Sequence, residues 1–256
     1  MTKANHIAVL TVPSPHSWII INALVARFGP VHVIAEKRED KWVLFRKRMK
    51  RHGLLTVLGQ AGFVMLQKLI DRRQKGRVAE IMRDMKLNAN PNPDCEVYEV
   101  GSVNSMACRA SLAMIKPDVV VVMGTRILGK ETLSAISVPL INSHAGWNPC
   151  YRGQAGGYWA LAHGDVDRAG VTIHLVDEGV DTGAILYQER FKATPKDSYS
   201  TYFSIQAGVA RSLVIQAVED AIAGQLKPFR SEADSRQFYH PTLWSYLYTG
   251  FRRGVW

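Results

Sequence analysis

An amide, an imidazole and a carboxylate that could act together stand in two short stretches of the sequence. Asn142 and His144 are two residues apart in INSHAGWNPCYRG (141–153), and Asp181 lies in HLVDEGVDTGAIL (174–186). Alternate residues of a strand point to the same side, so Asn142 and His144 share a direction. Asn and protonated His can stabilise charge on a carbonyl oxygen, while a carboxylate directs protons. The three types favour attack on a carbonyl group.

The residues alone leave a second interpretation open, in which Asn142 caps a turn and His144 is a structural histidine. A covalent hydrolase fits poorly, because no Ser or Cys stands in a G-x-S-x-G setting. The first predicted strand is followed by TVPSPHSW rather than by a glycine-rich loop, which argues against dinucleotide binding.

Strands that alternate with helices must position these residues. The pattern predicts an α/β, Rossmann-like fold with a mostly parallel twisted sheet and helices on both faces. In such sheets ligands bind at the carboxyl ends of the strands, and Asn142 and His144 would lie just past one such end. The predicted strands are 6–12, 31–36, 96–100, 117–124, 138–142, 170–176 and 184–193, and the predicted helices include 17–29, 103–116, 130–136 and 198–222.

The positive charge is concentrated in one segment. The chain has a formal net charge of +10, and residues 41–87 hold 13 Lys or Arg against three acidic residues. This segment is helical in composition, with predicted interruptions at Gly53, Gly59 and Gly62. Its mixture of basic and apolar stretches is typical of interfacial helices. An anionic substrate, an anionic membrane and a merely solvated basic face all stay open as explanations.

Length and composition predict one domain with an insertion and an extension. With 256 residues and 47% hydrophobic residues the chain is typical of a globular protein. We expect a catalytic domain at 1–225 that contains a helical basic insertion at about 39–90, and an aromatic extension at 226–256 packed on it. The three cysteines lack metal-ligand spacing and predict free thiols in a reducing cytoplasm, with no metal site. We also expect no apolar run of the roughly 18 residues that span a bilayer.

Several ordered motifs resemble those of the folate-dependent N-formyltransferases, which include glycinamide ribonucleotide, methionyl-tRNA and nucleotide-sugar formyltransferases. The resemblance covers roughly 117–190 well and the N-terminal third only in outline. In one departure, HAGWNP replaces the usual His-Pro-Ser-Leu-Leu-Pro, so the loop beside the catalytic pair is recast around Trp147. The matching pieces are PDVVVVMGTRIL (117–128), NSH (142–144), NPCYRG (148–153), GVTIH (170–174) and VDTG (180–183).

The resemblance implies an enzyme that transfers a formyl group from 10-formyltetrahydrofolate to a primary amine. Asn142 and His144 would stabilise the oxyanion, and Asp181 would help to move a proton. His174 is expected to pack near the site. The resemblance also implies that backbone groups hold the pterin of the formyl donor, at Thr125, Arg126, Ile127, Leu128, Val176, Asp177 and Glu178. Acceptor contacts are expected from Trp147, Tyr151 and Arg152.

The expected acceptor is a small amine, first of all an amino sugar on a nucleotide or another anionic carrier. The absent glycine-rich phosphate cradle argues against glycinamide ribonucleotide. The short stretch after the core has no room for the extra C-terminal domain of methionyl-tRNA formyltransferase, so no nucleic acid partner is expected. The alternatives that stay open are an amino-acid or glycinamide-ribonucleotide-type amine, a hydrolase of the formyl donor, and a non-catalytic protein of the inner membrane surface. Homo-oligomerisation through the aromatic extension is also open.

Overall fold

The computed structural model describes residues 6–256, and a seven-stranded sheet forms its centre. The first five residues of the predicted domain lie outside the described residues. The sheet order is β3-β2-β1-β4-β5-β7-β8. Strands β1 to β5 are parallel, whereas β7 is antiparallel to β5 and β8 is antiparallel to β7. The strands are β1 (Ile7–Thr11), β2 (His32–Glu36), β3 (Glu96–Val100), β4 (Val119–Met123), β5 (Leu140–His144), β6 (Arg152–Gly153), β7 (Gly170–Leu175), β8 (Ile185–Arg190) and β9 (Gln237–Phe238).

Helices cover both faces of this sheet, which confirms the predicted Rossmann-like class. Residues of β1 alternate between the two faces, as the strand period of two requires. Ile7 and Val9 pack with apolar residues of α1 and α7, whereas Ala8 and Leu10 pack with those of α4. The helices are α1 (Pro15–Phe28), α2 (Lys41–His52), α3 (Leu54–Asp84), α4 (Met106–Ile115), α5 (Lys130–Ser134), α6 (Gly156–His163), α7 (Tyr199–Ile222) and α8 (Leu243–Arg253).

The end of β5 differs from the prediction. Asn142 and His144 lie within the strand rather than past it, because β5 continues to pair with β7 as far as His144. The antiparallel register places Asn142 opposite His174 and His144 opposite Thr172. Cross-strand partners have their Cβ atoms about 5 Å apart, so this pairing brings the amide and the second imidazole together.

The basic segment folds as two helices, and only one of the three predicted interruptions is correct. Gly53 separates α2 from α3 with φ 77°, a backbone conformation that favours glycine. Gly59 and Gly62 instead lie inside α3, where α8 packs against them. A Cβ atom at Gly59 would lie 2.3 Å from the Trp244 ring. These glycines allow a close helix contact and do not end the helix.

The length and composition of α3 also correct the expectation about membrane-spanning segments. The helix has 31 residues, and an 18-residue window within it reaches a mean hydropathy of 1.2, enough to cross a membrane by those two measures alone. Only 22% of that window is buried within the protein. An ordinary core helix would be mostly buried.

The C-terminal segment forms elements that the sequence pattern did not predict. The two-residue strand β9 pairs in parallel with β6, which is the end of the NPCYRG motif. Helix α8 begins at Leu243 with a capping box between Thr242 and Ser245. The segment therefore contacts both the NPCYRG motif and helix α3.

Replacing Gly59 and Gly76 separately by Ala should have opposite effects on the free energy of unfolding. Gly76 also lies inside α3, but no atom lies within 4 Å of the position of an added Cβ. Gly76→Ala should therefore stabilise the protein by about 1 kcal/mol through helix propensity. Gly59→Ala should destabilise it by about 1–3 kcal/mol, because Trp244 must leave its place. Chemical denaturation of both variants is the measurement, and an equal gain from both would refute the packing role of Gly59.

Candidate active site

A cavity of about 1210 Å³ opens at the carboxyl edge of the sheet. Its walls come from the ends of β1, β2, β4 and β5, the loop after β7, helices α1, α2 and α7, and the segment before α8. A typical small-molecule site has roughly 300–1,000 Å³, so this cavity has room for two ligands. The strand order changes direction between β1 and β4, which is where open α/β sheets bind their ligands. All three predicted catalytic residues line it, namely Asn142, His144 and Asp181.

The Asn142 amide is held by two partners. Its Nδ2 atom lies 3.1 Å from Asp181 Oδ1 and 2.9 Å from His174 Nε2. His174 Nδ1 lies 2.7 Å from the Leu175 carbonyl oxygen, which can only accept, so this nitrogen carries a hydrogen. A ring with its hydrogen on Nδ1 leaves Nε2 able to accept from Asn142. His174 thus orients the amide, a role that the sequence did not predict.

The His144 imidazole is buried between a carbonyl group and a carboxylate. Its Nε2 atom donates to the Tyr151 carbonyl oxygen at 2.9 Å, and its Nδ1 atom lies 3.4 Å from Asp181 Oδ2. A Cβ atom at Gly146 would lie 2.3 Å from that carbonyl oxygen and 2.5 Å from His144 Nε2. Glycine at position 146 is therefore a condition for the hydrogen bond that fixes the ring.

The Asp181 carboxylate connects Asn142, His144 and His174. Its backbone has φ 52°, the left-handed conformation that Asp tolerates better than most residues. The Gly153 amide donates to its Oδ2 atom at 2.9 Å. Burial by itself raises the pKa of this carboxyl, but His144, His174 and the Gly153 amide outweigh it and hold the pKa of Asp181 well below its ordinary value. Asp181 is therefore ionised at neutral pH.

Six of the seven residues predicted to hold the formyl donor line the cavity: Thr125, Arg126, Ile127, Leu128, Val176 and Asp177. Glu178 does not line it, because its exposed side chain points to Lys130, with 3.7 Å between Oε2 and Nζ. The Arg126 side chain forms its hydrogen bonds within the protein. Its Nη1 atom lies 2.7 Å from Oε1 of the buried Glu36, and its backbone amide donates to Oε2 at 2.9 Å. Glu36 thereby fixes the turn after β4.

The three side chains predicted to meet the acceptor do not line the cavity. Tyr151 donates its hydroxyl to Asp165 Oδ2 at 3.0 Å, and Trp147 packs against Gly170 and beneath the Arg190 guanidinium. Arg152 donates through Nη1 to the Val180 carbonyl oxygen at 2.6 Å. These contacts support a structural role for all three, and Arg152 in particular holds the residue next to Asp181.

Two further groups of residues line the cavity: basic residues of α2, which the charge surplus pointed to, and residues of the C-terminal segment. Helix α2 contributes Lys41, Lys47, Arg48 and Arg51, and the C-terminal segment contributes Gln237, Phe238, Tyr239 and His240. The charge surplus was a signal for the first group, but the sequence does not say which face of the helix meets the cavity. The second group had no signal. Within residues 6–256, no group of three or more His, Cys, Asp or Glu side chains could hold a metal ion.

The sequence is similar to curated methionyl-tRNA formyltransferases. The protein of that name from Syntrophus aciditrophicus (strain SB) is 33% identical over 172 residues, which are 67% of this chain and 54% of the relative. The one from Synechococcus sp. (strain JA-3-3Ab) is 36% identical over 135 residues, which are 52% of this chain and 41% of the relative. The chain thus spans about half the length of the curated relatives it matches.

Solved structures share the fold at lower identity. A sugar N-formyltransferase from Shewanella sp FDAARGOS_354 superposes with a TM-score of 0.57 and 15% identity, over 91% of this chain and 76% of the other. Glycinamide ribonucleotide transformylase 1 from Symbiobacterium toebii gives a TM-score of 0.57 and 20% identity, over 93% and 94% of the two chains. At these identities the likeness concerns the fold alone.

A family model described as formyl transferase matches residues 56–218. The matched region is more than half of the chain. It contains the turn after β4, the Asn142 and His144 pair and the loop that carries Asp181. The chain therefore belongs to the formyl transferase family.

Proposed function

We propose that this protein is a cytoplasmic N-formyltransferase that moves a formyl group from 10-formyltetrahydrofolate to the primary amine of a small anionic acceptor, first of all an amino sugar on a nucleotide. The observation that carries the proposal is the hydrogen-bonded group of Asn142, His144 and Asp181 in a cavity large enough for two ligands. The family membership of the chain supports the same reaction. Its three free cysteines suit a reducing compartment.

The turn after β4 suits a pterin ring. Leu128 lies at the cavity, and neither its backbone N–H nor its carbonyl oxygen has a hydrogen-bond partner among the described residues. A free amide and a free carbonyl on one residue match the edge of a pterin ring, which can both donate and accept hydrogen bonds. Arg126 and Glu36 hold this turn rigidly, so the backbone groups are in place before the ligand arrives.

When bound, the formyl donor supplies a carbonyl group attached to N10, which the acceptor amine attacks. His144 Nε2 donates to the Tyr151 carbonyl oxygen, so Nδ1 can donate to the formyl oxygen only when both ring nitrogens carry a hydrogen. Nδ1 lies 3.4 Å from Asp181 Oδ2, longer than an ordinary hydrogen bond, which leaves that second hydrogen available to the ligand. Both hydrogens of the Asn142 amide are engaged, and we expect it to exchange the longer contact, 3.1 Å to Asp181, for the formyl oxygen. Together they stabilise the negative charge that develops there.

Asp181 is the group that moves the proton. As the new C–N bond forms, the acceptor nitrogen must lose one proton, and as the old bond breaks, N10 must gain one. An ionised carboxylate in the cavity can take the first proton and pass one on to N10, directly or through water. Arg152 and the Gly153 amide keep Asp181 in place while it does so.

The cavity also suits an anionic acceptor. Lys47, Arg48 and Arg51 on α2 line the same cavity as the catalytic group. Clustered positive charge in a cleft attracts phosphates and raises their local concentration. Lys47 is paired with Glu39, which lines the same cavity. A diphosphate carrier on the amino sugar would add anionic partners for Arg48 and Arg51.

An acceptor screen separates the candidate functions. Nucleotide-linked amino sugars, amino acids, glycinamide ribonucleotide and methionyl-tRNA are each mixed with the enzyme and 10-formyltetrahydrofolate, and formylated product is measured. Methionyl-tRNA belongs in the screen because the curated relatives carry that name. Formate released without any acceptor would identify a hydrolase instead. We expect turnover with a nucleotide-linked amino sugar, and turnover with methionyl-tRNA alone would overturn the proposed acceptor.

His144→Ala and Asp181→Asn should each lower kcat by at least about 100-fold, because each removes a group that acts in the transition state. Asn142→Ala should retain more activity, since His144 still faces the formyl oxygen. Steady-state kinetics with the acceptor from the screen is the measurement. Glu189→Gln, on the exposed end of β8, is the control and should match the parent. Near-normal turnover of either of the first two variants would contradict the assigned roles.

Neutralising Lys47, Arg48 and Arg51 together with Gln should raise the acceptor KM at least about tenfold, since each charge-assisted contact contributes about 1.5–3 kcal/mol. The salt dependence of that KM should flatten. Binding of 5-formyltetrahydrofolate should not change.

The matched control is Arg46→Gln with Lys50→Gln, which alters the same helix at residues that do not line the cavity. Its KM for a soluble acceptor should stay at the parent value. An equal rise in both variants would mean that the overall charge of α2, not its cavity side, attracts the acceptor.

A further inference from the structure

Helices α2 and α3 each expose large apolar side chains, which together we call the outer face. Leu54, Leu58, Met65 and Leu69 are spaced so that a helical period of 3.6 places them in one stripe along α3. Such residues are normally buried, and soluble proteins rarely expose them in a contiguous patch without an interaction partner. The exposed fractions are 72% for Trp42, 37% for Phe45, 53% for Leu54, 76% for Leu55, 53% for Leu58, 71% for Met65 and 55% for Leu69.

Exposed basic side chains accompany the outer face on the same two helices. They are distinct from the basic residues of the cavity, and within residues 6–256 none of them forms a salt bridge. Long basic side chains lay their carbon stems along apolar surface and keep the charge in water. These residues are Arg46, Lys50, Lys68, Arg72, Arg73 and Lys75.

The combination of apolar and basic residues indicates which kind of partner binds the outer face. The centre of a protein–protein interface is depleted in lysine, and a second copy of this chain would bring like charges together. Nucleic acid would use the charges but would leave the leucines in water. An anionic bilayer accommodates both, because apolar side chains enter the headgroup boundary while Lys and Arg meet lipid phosphates. We propose that the outer face binds the enzyme to an anionic lipid membrane.

The side of α3 away from the outer face packs into the protein, so a membrane bound at the outer face would meet α3 as a helix lying on the membrane surface. Phe63 is fully buried against Tyr199 and Tyr246. Arg77 donates to the buried Asp197 at 2.8 Å, and Gln60 donates to the His240 carbonyl oxygen at 3.0 Å. A spanning orientation would break these contacts.

Membrane binding by the outer face would place the cavity at the lipid surface. Helix α2 presents Trp42 and Phe45 to solvent, while Leu44 and Arg48 of the same helix line the cavity. One helix therefore forms both the membrane contact and a wall of the candidate active site. An acceptor held at the headgroup level would enter the cavity directly.

The test uses the full 256-residue chain and vesicles of two compositions. Vesicles of phosphatidylcholine alone are compared with vesicles that contain roughly three in ten phosphatidylglycerol. We expect flotation with the anionic vesicles only. Trp42→Ser, Leu55→Ser and Met65→Ser together should weaken binding at least about tenfold. Replacing Arg46, Lys50, Arg72 and Arg73 with Gln should weaken it about fivefold per charge and remove most of its salt dependence.

The controls test for a general effect of surface polarity and for unfolding. Met106→Ser with Met114→Ser alters two exposed apolar residues of α4, 78% and 63% exposed, and should bind vesicles like the parent. Thermal unfolding followed by circular dichroism should show all variants folded. Two results would overturn the proposal: no flotation of the parent, or unchanged flotation of the apolar triple variant. Light scattering that shows a dimer which the triple variant converts to monomer, with no lipid binding, would assign the outer face to a second copy instead.

Discussion

The Asp181 carboxylate accepts the Gly153 amide at one oxygen and the Asn142 amide at the other, and both imidazoles lie within 3.5 Å of it. A buried charge of this kind is costly unless it is fully partnered, and the four partners come from three strands, β5, β6 and β7. Asn142 and His144 are in place because β5 extends as far as His144. His174 is in place because β7 pairs with β5 in antiparallel register. Gly153 needs the short strand β6. The local architecture can therefore be understood as the set of elements that keep one carboxylate ionised in a cavity.

The sequence predicted the central sheet well because its strands are short, apolar and separated by helical patterns. Four consecutive valines in β4 are buried on both faces, as in parallel strands generally, and no other assignment suits them. The motif residues Asn142, His144 and Asp181 were found by type and order. Their mutual geometry was not, because strand register depends on pairing between residues about 30 positions apart. For the same reason the position of His174 opposite Asn142 could not be predicted.

Other differences arise where tertiary contacts override local preference. Gly59 and Gly62 suggested breaks in a helix, but α8 packs on them and the helix continues. Trp147, Tyr151 and Arg152 belong to a motif that surrounds the catalytic pair, yet their side chains are used to build the loop. The amount of charge in segment 41–87 was evident from composition alone. Its division between the cavity and the outer face depends on which side of α2 meets the cavity, which composition does not show.

The parallel pairing of β6 with β9 joins the C-terminal segment to the residues around Asp181. Gly153, which donates to Asp181, is aligned with Phe238, and a Cβ atom at Gly153 would lie 2.3 Å from the Phe238 carbonyl oxygen. Arg152 is joined to Ser235 at 2.8 Å on one side and to the Asp181 loop on the other. Chimeras that exchange everything after α7 to alter acceptor choice would also alter the support of the carboxylate. A change in the C-terminal segment that reshapes this side of the cavity would therefore also disturb the contacts that hold the Asp181 carboxylate.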